Sequence, residues 1–160
     1  MLCHEIVLCK EGDKMKIQFK EAGENEKEAI RSLLTNAKLH TETVDGNVTK
    51  FWTAIDDGRI VGVAGLEFYE GDALLRSVAV VPEIQHQGLG SQMVDFVLGA
   101  AREKNVRNVI LLTETARDFF LKKGFHVVER SSIENEAVKR SSEFVFVCPR
   151  SAVCMMLGLK

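Results

Sequence analysis

Apolar and polar residues first alternate with a period of two over residues 15–19, Met15 to Phe19, which predicts a strand. Residues 1–14 lack that pattern and read as an irregular N-terminal extension. Asn25 followed by Glu28 has capping-box spacing, and Ile30, Leu33, Leu34 and Ala37 then share one helical face. Residues 39–47 read as a short helix or a loop. Residues 50–55 and 59–68 are two β-rich runs joined by Asp57-Gly58, a strong hairpin signal. Gly71-Asp72 turns the chain into a third antiparallel strand over residues 73–81, which Pro82 stops.

Beyond that strand, Val94, Val97, Leu98 and Ala101 mark a helix reaching about residue 104. Residues 107–112 form a continuous apolar run, so strand, helix and strand make a parallel, right-handed unit. Thr115 starts another helix with Ala116, Phe119 and Phe120 inward, and Gly124 is its stop. Residues 125–130 predict a strand, 133–139 two helical turns, and 143–148 a last strand. The resulting order, β-α-(α)-β-β-β-α-β-α-β-(α)-β, predicts an α/β chain with a mixed sheet of about seven strands and helices on both faces. One domain over residues 1–160 is expected, with a core at 15–148 and a C-terminal tail at 149–160.

Composition narrows the function more than the fold. The chain has 160 residues, 46% hydrophobic and 28% charged, enough for one core. A net charge of −2, mixed along the chain, does not supply the concentrated positive field of a nucleic-acid surface. Apolar runs such as residues 78–81 and 109–112 are far too short to cross a membrane. Glu5, Lys10 and Glu11 crowd the first apolar stretch, which is therefore no signal peptide, and a cytoplasmic setting with reduced thiols is expected.

Cys3 and Cys9, and Cys148 and Cys154, are each separated by five residues, which is not the spacing of a structural zinc site. They read as isolated thiols or as soft-metal, metalloid or redox groups near the termini. His4, His40, His86 and His126 are scattered, and no metal is expected.

Chemistry concentrates in residues 75–90. A buried strand runs into Gln85-x-x-Gly88-x-Gly90 and then into a helix. Glycines let backbone approach a ligand, and the first turn of a helix offers N–H groups with no intrahelical acceptor, which suits a phosphate or pyrophosphate. The same glycines also serve ordinary turn geometry. The lysine and Ser/Thr of a nucleotide P-loop are missing, as is the three-glycine dinucleotide fingerprint.

With this element order, that loop resembles the GNAT superfamily of acetyl-CoA-dependent N-acetyltransferases over about residues 15–148. A second stretch, Thr113-Glu114-Thr115-Ala116-Arg117-Asp118-Phe119-Phe120-Leu121-Lys122-Lys123-Gly124-Phe125, looks like the family's Asn-x-x-Ala-x-x-Phe-Tyr-x-x-x-Gly-Phe. A closer resemblance is to N-acetyltransferase-like proteins found with arsenic-resistance genes, in residues 74–78, 111–115 and 144–152.

The resemblance implies acetyl-CoA as cosubstrate, a small-molecule amine as acceptor and a possible homodimer, with the apolar residues 152–159 buried somewhere. It places Gln85, His86, Gln87, Gly88, Leu89 and Gly90 on the CoA pyrophosphate, with Ser91 beginning the helix. Val78 and Val80 would pair their backbone with the pantetheine arm, and Thr113 and Phe120 would line it. Phe120 stands where the family often has the tyrosine that protonates the leaving thiolate. Tyr69, Ser77 and Glu114 are the replacement candidates for proton transfer, with Glu67 a further base. An arginine inside an apolar strand needs a partner, so Arg76 either clamps an anionic group of the acceptor or pairs with Glu67 or Glu114. Two other readings stay open: an acetyl-CoA-binding sensor with weak or no catalysis, and a metalloid-responsive protein using terminal cysteines.

Overall fold

The computed structural model describes residues 4–10, 13–147 and 150–159. A mixed sheet flanked by helices organises them, with eight strands in the order β1-β2-β3-β4-β5-β6-β8-β7. The residues divide into two compact units, Met1–Gly65 with Ser77–Val97, and Leu66–Arg76 with Leu98–Lys160. Strands β4 (Arg59–Tyr69) and β5 (Asp72–Val80) run through both.

The first unit begins with an antiparallel pair, β1 (His4–Lys10) and β2 (Asp13–Glu21), in the register Ile6↔Ile17. The sequence reading left residues 1–14 irregular, and β1 corrects it. Its central run, Ile6-Val7-Leu8-Cys9, has no alternation, so only pairing with β2 identifies it as a strand. β2 pairs antiparallel with β3 (Thr49–Asp56).

Helix α1 (Lys27–Asn36) follows a 3₁₀ turn over Glu24–Glu26. Its capping contact lies earlier than Asn25/Glu28: the Gly23 N–H donates to Glu26 Oε1 at 3.2 Å. Ile30, Leu33 and Leu34 face inward as expected and pack with Val44, Phe51, Val63 and Ala79. The β3–β4 turn uses left-handed backbone at both Asp57 (φ 47°) and Gly58 (φ 77°), which matches the twist of a tight hairpin.

In the second unit, β5 pairs parallel with β6 (Asn108–Thr113) over Asp72↔Asn108, Ala73↔Val109 and Leu74↔Ile110. β8 (Val153–Gly158) pairs antiparallel with both β6 and β7 (His126–Val128). Two expectations fail here. Residues 143–148, expected to form the last strand, hold instead a π-helical turn over Glu143–Val147.

The last strand comes instead from the supposed tail. Val153-Cys154-Met155-Met156-Leu157 is a continuous apolar run, which suits a strand enclosed between two others better than a half-exposed edge. Its burial is thus within this chain's own sheet. Helix α2 (Leu89–Glu103) leads into β6, and α3 (Arg117–Lys122) and α4 (Glu136–Lys139) complete the helices. Leu74, Ile110, Leu112, Ile133, Val138, Ala152 and Cys154 form the core of this unit. No helix among the described residues is long and apolar enough to cross a membrane.

Candidate active site

The exit of β5 builds the loop that the sequence singles out. Val81 N–H donates to Val61 O at 2.9 Å, holding the strand end against β4, and Pro82–Ile84 makes one 3₁₀ turn. Gln85 does not project away from this turn. Its Nε2 donates to Val80 O at 2.9 Å and closes the loop on the strand that precedes it.

His86 (φ 66°) and Gly88 (φ 85°) are both left-handed, and α2 then starts at Leu89. A Cβ placed on Gly88 would meet nothing within 4 Å, so the residue is demanded by backbone conformation and faces open space. Buried Leu89 anchors the helix start, while Gln85, His86 and Gly88 are exposed and Gln87, Gly90 and Ser91 half-buried. The N–H groups of Leu89 and Gly90, in the first turn of α2, have no carbonyl four residues back within the helix. Such a terminus, with the positive end of the helix dipole, fits a pyrophosphate.

Along β5, Ala79 is buried while Val78 and Val80 are half-buried, as alternation requires. Ser77 is half-buried with φ 57°, a left-handed residue inside a strand. The β5–β6 ladder has already ended at Leu74↔Ile110.

In the second unit, Arg76 is engaged by two carboxylates. Nη1 lies 2.9 Å from Glu67 Oε1 and Nη2 lies 3.2 Å from Glu143 Oε2. Of the two partners weighed from sequence, Glu67 is the one found; the other carboxylate is Glu143, and Glu114 sits exposed after β6. Tyr69 Oη donates to the other Glu67 oxygen at 2.6 Å. Burial, and then the bond to anionic Glu67, push the Tyr69 phenol above its ordinary pKa.

Thr113 Oγ1 accepts the Ala116 N–H at 3.0 Å and shapes the entry to α3. Phe120 is 7% exposed and packs edge-on against Phe119 and Phe125, with ring centroids 5.0 and 5.4 Å away. Cys154 is buried, and that burial pushes its thiol up to about 11 against the weaker pull of the Arg130 charge. Cys3 and Cys148 lie outside the described residues.

Sequence reasoning missed Glu143 and Asn135. The signal for Glu143 was an acid opening an otherwise apolar run, Phe144 to Val147. Asn135 caps α4 by accepting from Ala137 and Val138 N–H, and its amide donates to Tyr69 O and Asp72 Oδ2.

The family model for the acetyltransferase (GNAT) domain matches residues 47–127. The chain belongs to the GNAT acetyltransferase family. As such it is an acyltransferase. An amino-acid acetyltransferase of Mycobacterium tuberculosis is 34% identical over 94 residues, which cover 56% of this GNAT chain and 53% of that protein. An uncharacterized N-acetyltransferase of Chlorobaculum tepidum is 25% identical over 118 residues, 73% of each chain. This GNAT chain thus spans about half the length of the mycobacterial relative.

Among solved structures, a Mycobacterium tuberculosis protein in complex with CoA superposes with a TM-score of 0.73 at 25% identity, covering 89% of this chain and 99% of that one. An N-acetylglutamate synthase from Neisseria gonorrhoeae, complexed with coenzyme A and N-acetyl-glutamate, gives 0.75 at 18% identity. That match covers 90% of this chain and 35% of the synthase, and shares the GNAT fold alone.

Proposed function

We propose that this GNAT enzyme transfers acetyl from acetyl-CoA to the primary amine of a small, amino acid-like molecule by direct attack. The observation that carries the reading is the loop of residues 85–90: left-handed Gly88 faces open space beside the first-turn N–H groups of α2. Acetyl-CoA supplies an acyl group already activated as a thioester, with a leaving thiol that resembles cysteine, of pKa about 8.5. The residues of this chain bind, orient and move protons.

N–H groups of residues 86–90 hold the pyrophosphate, and Ser91 continues the helix behind them. The backbone of Val78 and Val80 receives the arm as an added strand, and an N–H there polarises the acyl carbonyl. Thr113 and Phe120 shape the wall of that arm's path. Glu114, exposed and close after β6, is the carboxylate for proton removal from the amine through water, while Ser77 donates a proton through water to the leaving thiolate.

Cys154, whose buried thiol is raised above its ordinary pKa, is a poor acyl carrier at neutral pH. An amino acid-like acceptor is supported by the amino-acid acetyltransferase at 34% identity. The resemblance to the arsenic-associated group extends the candidate acceptors to amine-bearing arsenical analogues of amino acids.

Calorimetric titration with acetyl-CoA, beside a Gly88→Glu variant, tests the cofactor. Micromolar binding that the variant loses is expected. No binding by the parent protein refutes the reading. Thiol release with a panel of amino acids and their analogues then tests the acceptor, and turnover restricted to polyamines or protein tails refutes that part.

A further inference from the structure

Where β5 and β6 begin, two opposite charges stand close in the chain's path without pairing. Asp72 opens β5 and is the Cα partner of Asn108, the first residue of β6, which Arg107 precedes. Asp72 and Arg107 both line a cavity of about 840 Å³, formed within the unit Leu66–Arg76 with Leu98–Lys160. That volume lies in the range of small-molecule sites.

Asp72 is only 9% exposed. Its Oδ1 accepts from Asn108 Nδ2 at 3.0 Å, and its Oδ2 accepts from Asn135 Nδ2 at 3.1 Å. Among the described residues no cation pairs with it. Two neutral amides orient a carboxylate without cancelling its charge, and a buried charge lacking a counter-charge is costly.

Arg107 is held in place by other means. Its N–H donates to Gly71 O at 2.6 Å, and its carbonyl accepts from Leu159 N–H at 2.7 Å. The guanidinium rests on the face of Gly71, where a Cβ would come within 2.9 Å of Nη2 and 3.0 Å of Nε. Among the described residues no carboxylate pairs with Arg107, nor with Arg140 at the same cavity. Glu136 pairs with Lys139 instead, at 2.7 Å. Exposed Glu70 and Glu134 then bring the lining close to neutral, so neither a polyanion nor a polycation matches it. One small molecule carrying both signs does.

We propose that this cavity binds a free α-amino acid, whose ammonium meets Asp72 and whose carboxylate takes the Arg107 fork. Ile110 and Met156 offer an apolar side to its side chain. Thr113, given above to the acyl arm, ends the strand that Asn108 begins, roughly 16 Å along it. The site is separate from acyl transfer and stands whether or not the proposed function holds. An N-acetylated amino acid lacks the ammonium and is excluded from it.

Calorimetric titration of the full chain with each standard protein amino acid tests this. At least one is expected to bind with Kd below about 1 mM. Its N-acetyl derivative and its amine analogue without the carboxylate are each expected to bind at least about tenfold more weakly. Arg107→Gln, a change at an exposed side chain, and Asp72→Asn are expected to weaken the parent ligand by the same factor, with acetyl-CoA affinity within about threefold of the parent.

No saturable binding by any amino acid overturns the proposal. Binding that Arg107→Gln leaves unchanged overturns it too, because the ligand then sits elsewhere, including at an acceptor site for acyl transfer. Analogues that bind as well as the parent ligand overturn the recognition of both charges. If Asp72→Asn does not fold, Arg107→Gln and the analogues still decide.

Discussion

The Tyr69 phenol donates to Glu67 Oε2 at 2.6 Å, and Glu67 is itself 1% exposed. This bond directs the only tyrosine proton of the chain into a buried carboxylate. Because Tyr69 also has a raised pKa, it is a poor acid for a leaving thiolate. Tyr69→Phe is expected to lower unfolding free energy by about 2 kcal/mol, the worth of a hydrogen bond to a charged group, while kcat stays within about threefold. Chemical denaturation and steady-state thiol release check this together. A hundredfold loss of kcat at unchanged stability would make Tyr69 the acid after all.

Phe120 has an aromatic neighbour on each side of its ring edge, so truncation opens a hole at a place that does not close easily. Phe120→Ala is expected to cost about 3–5 kcal/mol, read from thermal or urea unfolding. Phe120→Tyr keeps the ring and restores the hydroxyl common in the family. It is expected to raise kcat about tenfold, the low end of what a placed proton donor contributes. An unchanged kcat would show that the leaving thiolate obtains its proton elsewhere.

Cys154 gives the alkaline limb of stability a definite sign. Burial raises its folded pKa to about 11 from an ordinary 9, so the folded state holds this proton more tightly than the unfolded one. The corresponding stability is complete below pH 9 and is lost as pH rises toward 11. The loss is on the order of 3 kcal/mol at most, since each pKa unit is worth about 1.4. Unfolding midpoints measured from pH 8 to 11 should fall more steeply for the parent than for Cys154→Ala. Parallel curves would contradict the burial of this thiol.

Asn135 binds α4 to the β4–β5 hairpin with every polar atom of its amide. Oδ1 accepts from Ala137 and Val138 N–H, and Nδ2 donates to Tyr69 O at 2.7 Å and Asp72 Oδ2 at 3.1 Å. Asn135→Ala is expected to cost about 2–3 kcal/mol, combining a lost cap with unsatisfied acceptors. Asn135→Asp retains the cap but sets a carboxylate against Asp72, and is expected to be no better than alanine in urea titrations. Rescue by aspartate would reduce the role of Asn135 to capping alone.

Local chemistry made much of this protein readable before its structure. The Asp57-Gly58 hairpin was legible because only left-handed backbone closes such a turn. The inward faces of α1 and α2 followed from helical periodicity, and the 85–90 loop followed from glycines at a strand-to-helix turn. Gln85 was placed in that loop correctly, while its bond back to Val80 O depended on the path of the chain between them.

The two ends of the chain were misread for one shared reason. Residues 4–10 and 153–158 lack alternation, and a continuous apolar run names its own strand only through the neighbours it pairs with. Residues 143–147 mislead in the opposite way, since their phenylalanines and valines suit a strand while the fold makes a wide helical turn of them.

By itself, then, the sequence determined the class of fold, the position of the glycine loop between β5 and α2 and the membership of an acyl-transfer family, because glycine conformation and hydrophobic period act over a few residues. Tertiary structure alone decided that β8 lies between β6 and β7 and that Arg76 belongs to Glu67 and Glu143. A buried charge takes whichever opposite charge the fold brings within about 3 Å, and residues 76 and 143 lie too far apart in the chain for any local pattern to announce their meeting.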